Sequence, residues 1–162
     1  MNIATPLVSD QSQASEAGSL KFRDPDRTLG GDERARVSLT RLETLWINTG
    51  TLCNIICRSC YIESSPKNDR LVYVTAAEVR AFLDEALRAG TREIGFTGGE
   101  PFLNAEINEM LGDALGRGFD VLVLTNAMLP MQRPAVKRAL LDLCHRFGAR
   151  LTFRVSLDHH SQ

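Results

Sequence analysis

The sequence predicts an α/β fold built on a parallel sheet. Three observations carry this. Short apolar runs alternate with amphipathic segments in the order β-α-β-α-β-α-β from residue 42 onward. The run Val121-Leu122-Val123-Leu124 is apolar without interruption, as expected of a parallel strand covered on both faces. The spacing between strands leaves room for a helical crossover each time, and such crossovers are right-handed. A closed or partial βα barrel and an open doubly wound sheet both fit this order. No G-x-G-x-x-G follows the first strand, so nothing favours a dinucleotide fold.

Taken in order, residues 1–38 are polar and unperiodic, rich in Ser, Gln, Asp, Gly and Arg. They read as a flexible N-terminal segment with one ordered turn near Phe22. The regular part is residues 39–162. Leu45, Trp46 and Ile47 make the first strand, with Trp46 expected in the core. Thr75-Ala76-Ala77-Glu78 is a capping box. The helix it opens carries Val79, Phe82, Leu83, Ala86 and Leu87 on one face and stops at Gly90. Ile94 to Thr97 is the second strand, closed by Gly98-Gly99-Glu100-Pro101. Ile107, Met110, Leu111, Ala114 and Leu115 repeat the helical spacing, and Gly118 stops it. Val121 to Leu124 is the third strand. Val136, Leu140, Leu143, Cys144 and Phe147 form a third helical face, ended by Gly148, with Cys144 expected as a buried inert thiol. Leu151 to Leu157 is the fourth strand.

After Leu157 the pattern supplies neither a covering helix nor a further strand, and an exposed parallel edge is a liability. The expectation is the front part of a larger domain, with about four βα units present.

Composition narrows the function. A formal net charge of -1 over 162 residues gives no case for nucleic acid or an anionic membrane surface. No apolar run approaches the ~18 residues of a spanning helix. Met1 to Leu20 lacks a basic start and an apolar h-region, so it does not read as a signal peptide. The expected compartment is the cytoplasm, where clustered cysteines suit metal binding or catalysis better than disulfides.

Cys53, Cys57 and Cys60 are such a cluster, spaced C-x3-C-x2-C. Thiolates are soft ligands. A closed structural zinc site takes four protein ligands, and an ordinary iron–sulfur cluster four cysteines. Three cysteines in one loop therefore point to a metal centre with one position open. Parallel βα folds place their sites at the carboxyl ends of the strands. The cysteine loop, Gly98 to Pro101, Thr125-Asn126, and Ser156 with Asp158 all fall at such ends. The two glycines let a ligand approach the backbone, Glu100 offers an acceptor for a cationic group such as an ammonium, and Pro101 sets the turn.

The cysteine triplet with Tyr61 after it, Phe96-Thr97-Gly98-Gly99-Glu100-Pro101, Thr125-Asn126 and Ser156-Leu157-Asp158 together resemble a radical S-adenosylmethionine (SAM) enzyme. The motifs look most like the branch of molybdenum-cofactor biosynthesis proteins and peptide or cofactor maturases, with glycyl-radical-activating enzymes second. The resemblance implies a partial βα barrel of six units, of which this sequence would supply four and stop before strands five and six, and a [4Fe–4S] cluster on Cys53, Cys57 and Cys60, its fourth iron chelated by SAM. It implies that Gly98, Gly99 and Glu100, with Pro101 setting their turn, serve the methionine ammonium, that Tyr61 lies by the adenine, and that Asn126, Ser156 and Asp158 contact the methionine carboxylate or the ribose. The implied reaction is reductive cleavage of SAM to methionine and a 5′-deoxyadenosyl radical, which abstracts hydrogen from a small-molecule or peptide substrate. The implied electron donor is a low-potential flavodoxin or ferredoxin. No catalytic side chain is needed for that cleavage. The alternatives are a zinc-stabilised binding module, with a histidine as fourth ligand, and a non-catalytic relic of the same fold.

Overall fold

The computed structural model describes residues 24–157. Its contacts divide the chain into two units, 1–39 and 40–162. The turn expected near Phe22 lies outside the described residues, as does Asp158. In the first unit the Asp24 carboxylate accepts from the backbone N–H of Asp26 at 2.8 Å and of Arg27 at 3.0 Å. These bonds hold its pKa below the ordinary aspartate value. They also close a turn that leads into an antiparallel bridge between Arg27 and Glu33.

The second unit is the α/β domain. Its strands are β1 (Thr44–Asn48), β2 (Glu93–Thr97), β3 (Asp120–Thr125) and β4 (Leu151–Val155). They are all parallel and lie in the spatial order β1-β2-β3-β4. Helices α1 (Ala76–Arg88), α2 (Ile107–Gly116) and α4 (Pro134–Phe147) fill the crossovers, with a one-turn helix α3 (Leu129–Gln132) before α4. A doubly wound sheet reverses its strand order at a switch point. Here the order runs straight through, and the helices pack one face. This is the winding of a barrel, present as four units.

Strand alternation decides which side chains meet the helices. Leu45, Ile47, Ile94, Phe96, Val121, Val123, Leu151 and Phe153 join Val79, Leu83, Met110, Leu111, Ala114, Leu115, Val136 and Leu140 in one apolar core. The other sheet face carries the register row Trp46, Gly95, Leu122 and Thr152. A Cβ on Gly95 would come within 2.4 Å of the Trp46 ring, so the missing side chain makes space for the indole. Trp46 is not the core residue its apolar neighbours suggest. It stands on the face away from the helices and is 45% exposed.

Two further expectations are corrected at the margins of helix stripes. In α1 the buried residues are Ala76, Val79, Leu83 and Ala86, while Phe82 and Leu87 flank the stripe and are exposed. In α4 the buried residues are Val136, Leu140 and Leu143. Cys144, one step further round, is exposed rather than buried.

The capping box forms as its sequence dictates. Thr75 Oγ1 accepts from the Glu78 N–H at 3.2 Å, and Glu78 Oε2 accepts from the Thr75 N–H at 2.8 Å. Glu106, just before α2, accepts from the Ala76 N–H at 2.7 Å and satisfies another free donor at the same helix end. Arg80 of α1 pairs with Asp113 of α2 at 2.6 Å, and Arg117 reaches back to Asp84 at 2.9 Å. The two crossovers are thus tied side by side.

Candidate metal and cofactor site

The cysteine loop leaves β1 and is tied down along its length. Leu52 bridges Ser65, and the Cys53 N–H donates to the Ser65 carbonyl at 3.1 Å. Cys53 to Ser65 is thereby a closed loop. Inside it Cys60 N–H donates to the Cys57 carbonyl at 3.2 Å and Glu63 N–H to the Cys60 carbonyl at 3.1 Å. Thr51 Oγ1 donates to the Asn68 carbonyl at 2.9 Å, and Asn104 Nδ2 donates to the Thr49 and Val74 carbonyls at 3.3 and 2.9 Å. Buried polar side chains therefore supply the bonds that strand pairing cannot supply in an irregular segment.

The Gly-Gly segment is packed against the start of that loop. Gly99 N–H donates to the Gly50 carbonyl at 2.8 Å and Glu100 N–H to the Leu52 carbonyl at 3.0 Å. A Cβ on Gly99 would lie 2.1 Å from the Leu52 carbonyl oxygen. Gly98 has φ +148, and a Cβ there would lie 2.7 Å from the Gly50 carbonyl oxygen. The sequence suggests glycines that admit a ligand; what they visibly admit is the backbone of the cysteine loop.

Cys53, Cys57, Cys60, Tyr61, Gly98, Gly99, Asn126 and Ser156 line one cavity of about 250 Å³. These residues come from four separate strand ends, and the fold brings them together. Tyr61 is 83% exposed at its mouth. Glu100 and Pro101 are buried behind the wall rather than in it. The Glu100 carboxylate takes its donors from the protein itself: Phe102 N–H at 3.2 Å and the Thr125 hydroxyl at 2.8 Å on Oε1, and Asn126 N–H at 2.9 Å on Oε2. Asp158 lies outside the described residues. Ile55, Ser59, Ser64, Thr97, Leu124 and Thr125 also line the cavity. Of these, Ser64 carries no sequence signal, since nothing in its spacing sets it apart from Ser65.

The four cysteines are in no disulfide. Burial pushes the Cys53 thiol up, and the negative charge of Glu100 adds to the effect against backbone N–H groups of Ile55 and Asn54 that lower it. Among the described residues no three Cys, His, Asp or Glu side chains stand close enough for one metal ion. A polynuclear centre does not need that convergence, because each thiolate binds a separate iron. Ser64 also stands at this wall, and its buried hydroxyl has no hydrogen-bond partner among the described residues. The donor set, three cysteines lining one cavity without converging on a single point, fits an iron–sulfur cluster better than a single zinc.

The family model described as the radical SAM superfamily matches residues 47–161. The chain belongs to that superfamily. Radical SAM proteins are enzymes that use a [4Fe–4S] cluster and SAM. The chain is 30% identical over 106 residues to the antilisterial bacteriocin subtilosin biosynthesis protein AlbA of Bacillus subtilis strain 168, covering 65% of this chain and 22% of AlbA. It is 33% identical over 103 residues to a probable GTP 3',8-cyclase of Methanocella arvoryzae, covering 63% of this chain and 33% of the cyclase. Its fold is similar to that of Streptococcus suis SuiB bound to S-adenosylmethionine, with a TM-score of 0.58 at 21% identity over 72% of this chain and 25% of SuiB. SuiB bound to its precursor peptide SuiA gives the same TM-score of 0.58, covering 24% of that chain. The chain thus spans about a fifth to a third of the length of these radical SAM relatives. Among the described residues no helix is long and apolar enough to cross a membrane.

Proposed function

We propose that this chain carries the cofactor-binding part of a radical SAM enzyme, with Cys53, Cys57 and Cys60 as the cluster ligands. The observation that carries the reading is the single cavity lined at once by the three cysteines, the Gly98-Gly99 backbone, Asn126 and Ser156. When bound, the cluster supplies the electron that splits SAM into methionine and a 5′-deoxyadenosyl radical.

The chain's own residues bind, orient and shield. The carbonyl oxygens of Gly98 and Gly99 offer backbone acceptors with no side chain in the way, suited to the methionine ammonium, while the Gly99 N–H is held by the Gly50 carbonyl. Ser156 at the end of β4 places a hydroxyl suited to the carboxylate or the ribose, and Asn126 at the end of β3 keeps a second lone pair on Oδ1 suited to a ribose hydroxyl. Asp158 shares that proposed role from the sequence pattern. Tyr61, exposed at the mouth, offers an aromatic face to the adenine. Glu100 and Pro101 serve from behind the wall by holding the segment and Asn126 in place. A low-potential flavodoxin or ferredoxin is the proposed electron donor.

The finer reading is peptide maturation. AlbA is named for bacteriocin biosynthesis, and SuiB is described with a precursor peptide. Nucleotide cyclisation in cofactor biosynthesis is the second reading, favoured by the cyclase at 33% identity.

The test is anaerobic reconstitution of the full chain with iron and sulfide. The native chain is expected to hold the cluster and cleave SAM when reduced. Cys53→Ala, Cys57→Ala and Cys60→Ala are each expected to lose iron. Three variants with unchanged iron content sink the proposal, and zinc in place of iron points to the binding module.

A further inference from the structure

Two residues of the cavity wall aim donors at cysteine sulfurs. Asn126 is the first. Its Oδ1 accepts from the Met128 N–H at 3.0 Å, which fixes the orientation of the amide. Nδ2 therefore faces the cysteine loop with two N–H groups, and it finds two acceptors there. They are Asn54 Oδ1 at 3.0 Å and Cys53 Sγ at 3.7 Å. The backbone of Asn126 is held from behind by Glu100 Oε2 at 2.9 Å.

Ser64 is the second. Its backbone N–H donates to Cys60 Sγ at 3.3 Å. Its hydroxyl is buried and has no partner among the described residues, so the backbone N–H is the donor that Ser64 brings to Cys60.

We propose that Asn126 and Ser64 form a hydrogen-bonding shell that raises the affinity of the cysteine-held centre for an electron, with Glu100 as the positioning residue behind Asn126. The inference rests on the cluster reading above. Reduction adds a negative charge to the centre and its sulfurs. A donor aimed at a ligating sulfur stabilises the reduced state more than the oxidised one, and so raises the potential.

The experiment is a redox titration, followed by electron paramagnetic resonance, of the full chain reconstituted anaerobically and without SAM. Asn126→Leu is expected to keep its iron and sulfide but to show about a tenfold lower reduced-to-oxidised ratio at a fixed potential, equal to ~59 mV for one electron. Asn126→Asp puts a charge where the donor was and is expected to fall further. Ser64→Ala keeps the backbone N–H to Cys60 and is expected to match the native midpoint, whereas Ser64→Pro removes that N–H and is expected to fall. Ser64→Pro also decides the matter if the Asn126 variants lose their iron. Midpoints that match the native chain in every Asn126 or Ser64→Pro variant that keeps its iron overturn the shell and leave the cluster reading standing. A native chain that takes up no iron and sulfide overturns both.

Discussion

Gly99 is the tightest residue of the site. The atom its missing side chain would strike is not a ligand but the Leu52 carbonyl oxygen, 2.1 Å away. Backbone against backbone cannot give as the end of a side chain can. Gly99→Ala is therefore expected to destabilise the protein by about 1–3 kcal/mol or more and to lower iron retention, because the Gly99–Gly50 and Glu100–Leu52 hydrogen bonds position the cysteine loop. At Gly116, in α2, an added methyl would meet nothing within 4 Å, so Gly116→Ala is expected to be neutral or to stabilise by about 0.5 kcal/mol. Urea denaturation of both variants checks the contrast. Equal effects of the two substitutions would remove the argument. The same scale shows what sequence reading can and cannot find. Cys53, Cys57 and Cys60 announce themselves by spacing, because a soft donor is a rare residue in a tight pattern. Gly99 announces flexibility but not the neighbour that demands it. Glu100 announces a charge but not the direction it faces, and that direction depends on Thr125 and Asn126 at the end of another strand.

Among the elements, α1 owes its start to a local code. Thr75 and Glu78 satisfy each other's backbone within one turn, so four consecutive residues suffice to predict the cap. The code has a pH signature. Hydrogen bonds from the Thr75 backbone and then its hydroxyl hold the Glu78 carboxyl below the ordinary glutamate value. A group with a lowered folded pKa contributes stability above its unfolded pKa and loses it as pH falls through the folded one. Glu78→Gln keeps an acceptor but not the charge. Its loss of stability between about pH 7 and about pH 3 is expected to be smaller than that of the native chain, as read by urea midpoints. An identical loss in both counts against the capping box as an acid-sensitive point. Elements with neither a cap nor an apolar period are not legible in the sequence. The one-turn helix Leu129–Gln132 has no period to detect. Phe82, Leu87 and Cys144 sit at stripe edges where spacing alone cannot separate core from surface.

At the scale of the whole domain, β2 and β3 are hydrogen-bonded on both sides, while β1 and β4 are the outer strands of the described sheet. β4 is the barer of the two, with Val155 55% exposed. Amide hydrogen exchange is expected to be slowest in β2 and β3 and fastest, among the strands, in Leu151–Val155. Protection in β4 equal to that in β3 speaks against this ordering. The order of elements is legible because parallel strands declare themselves by apolar runs. The choice between barrel and doubly wound sheet is not, because it rests on which side each crossover takes, and only the unreversed strand order decides it. The face that results holds the chain's single tryptophan. Trp46 lies over Gly95 on the side the helices leave open. Intrinsic fluorescence from tryptophan therefore has one address. Its emission colour and quenching register what happens at the inner wall of the sheet, and the molecule carries a built-in lamp on the side away from its own core.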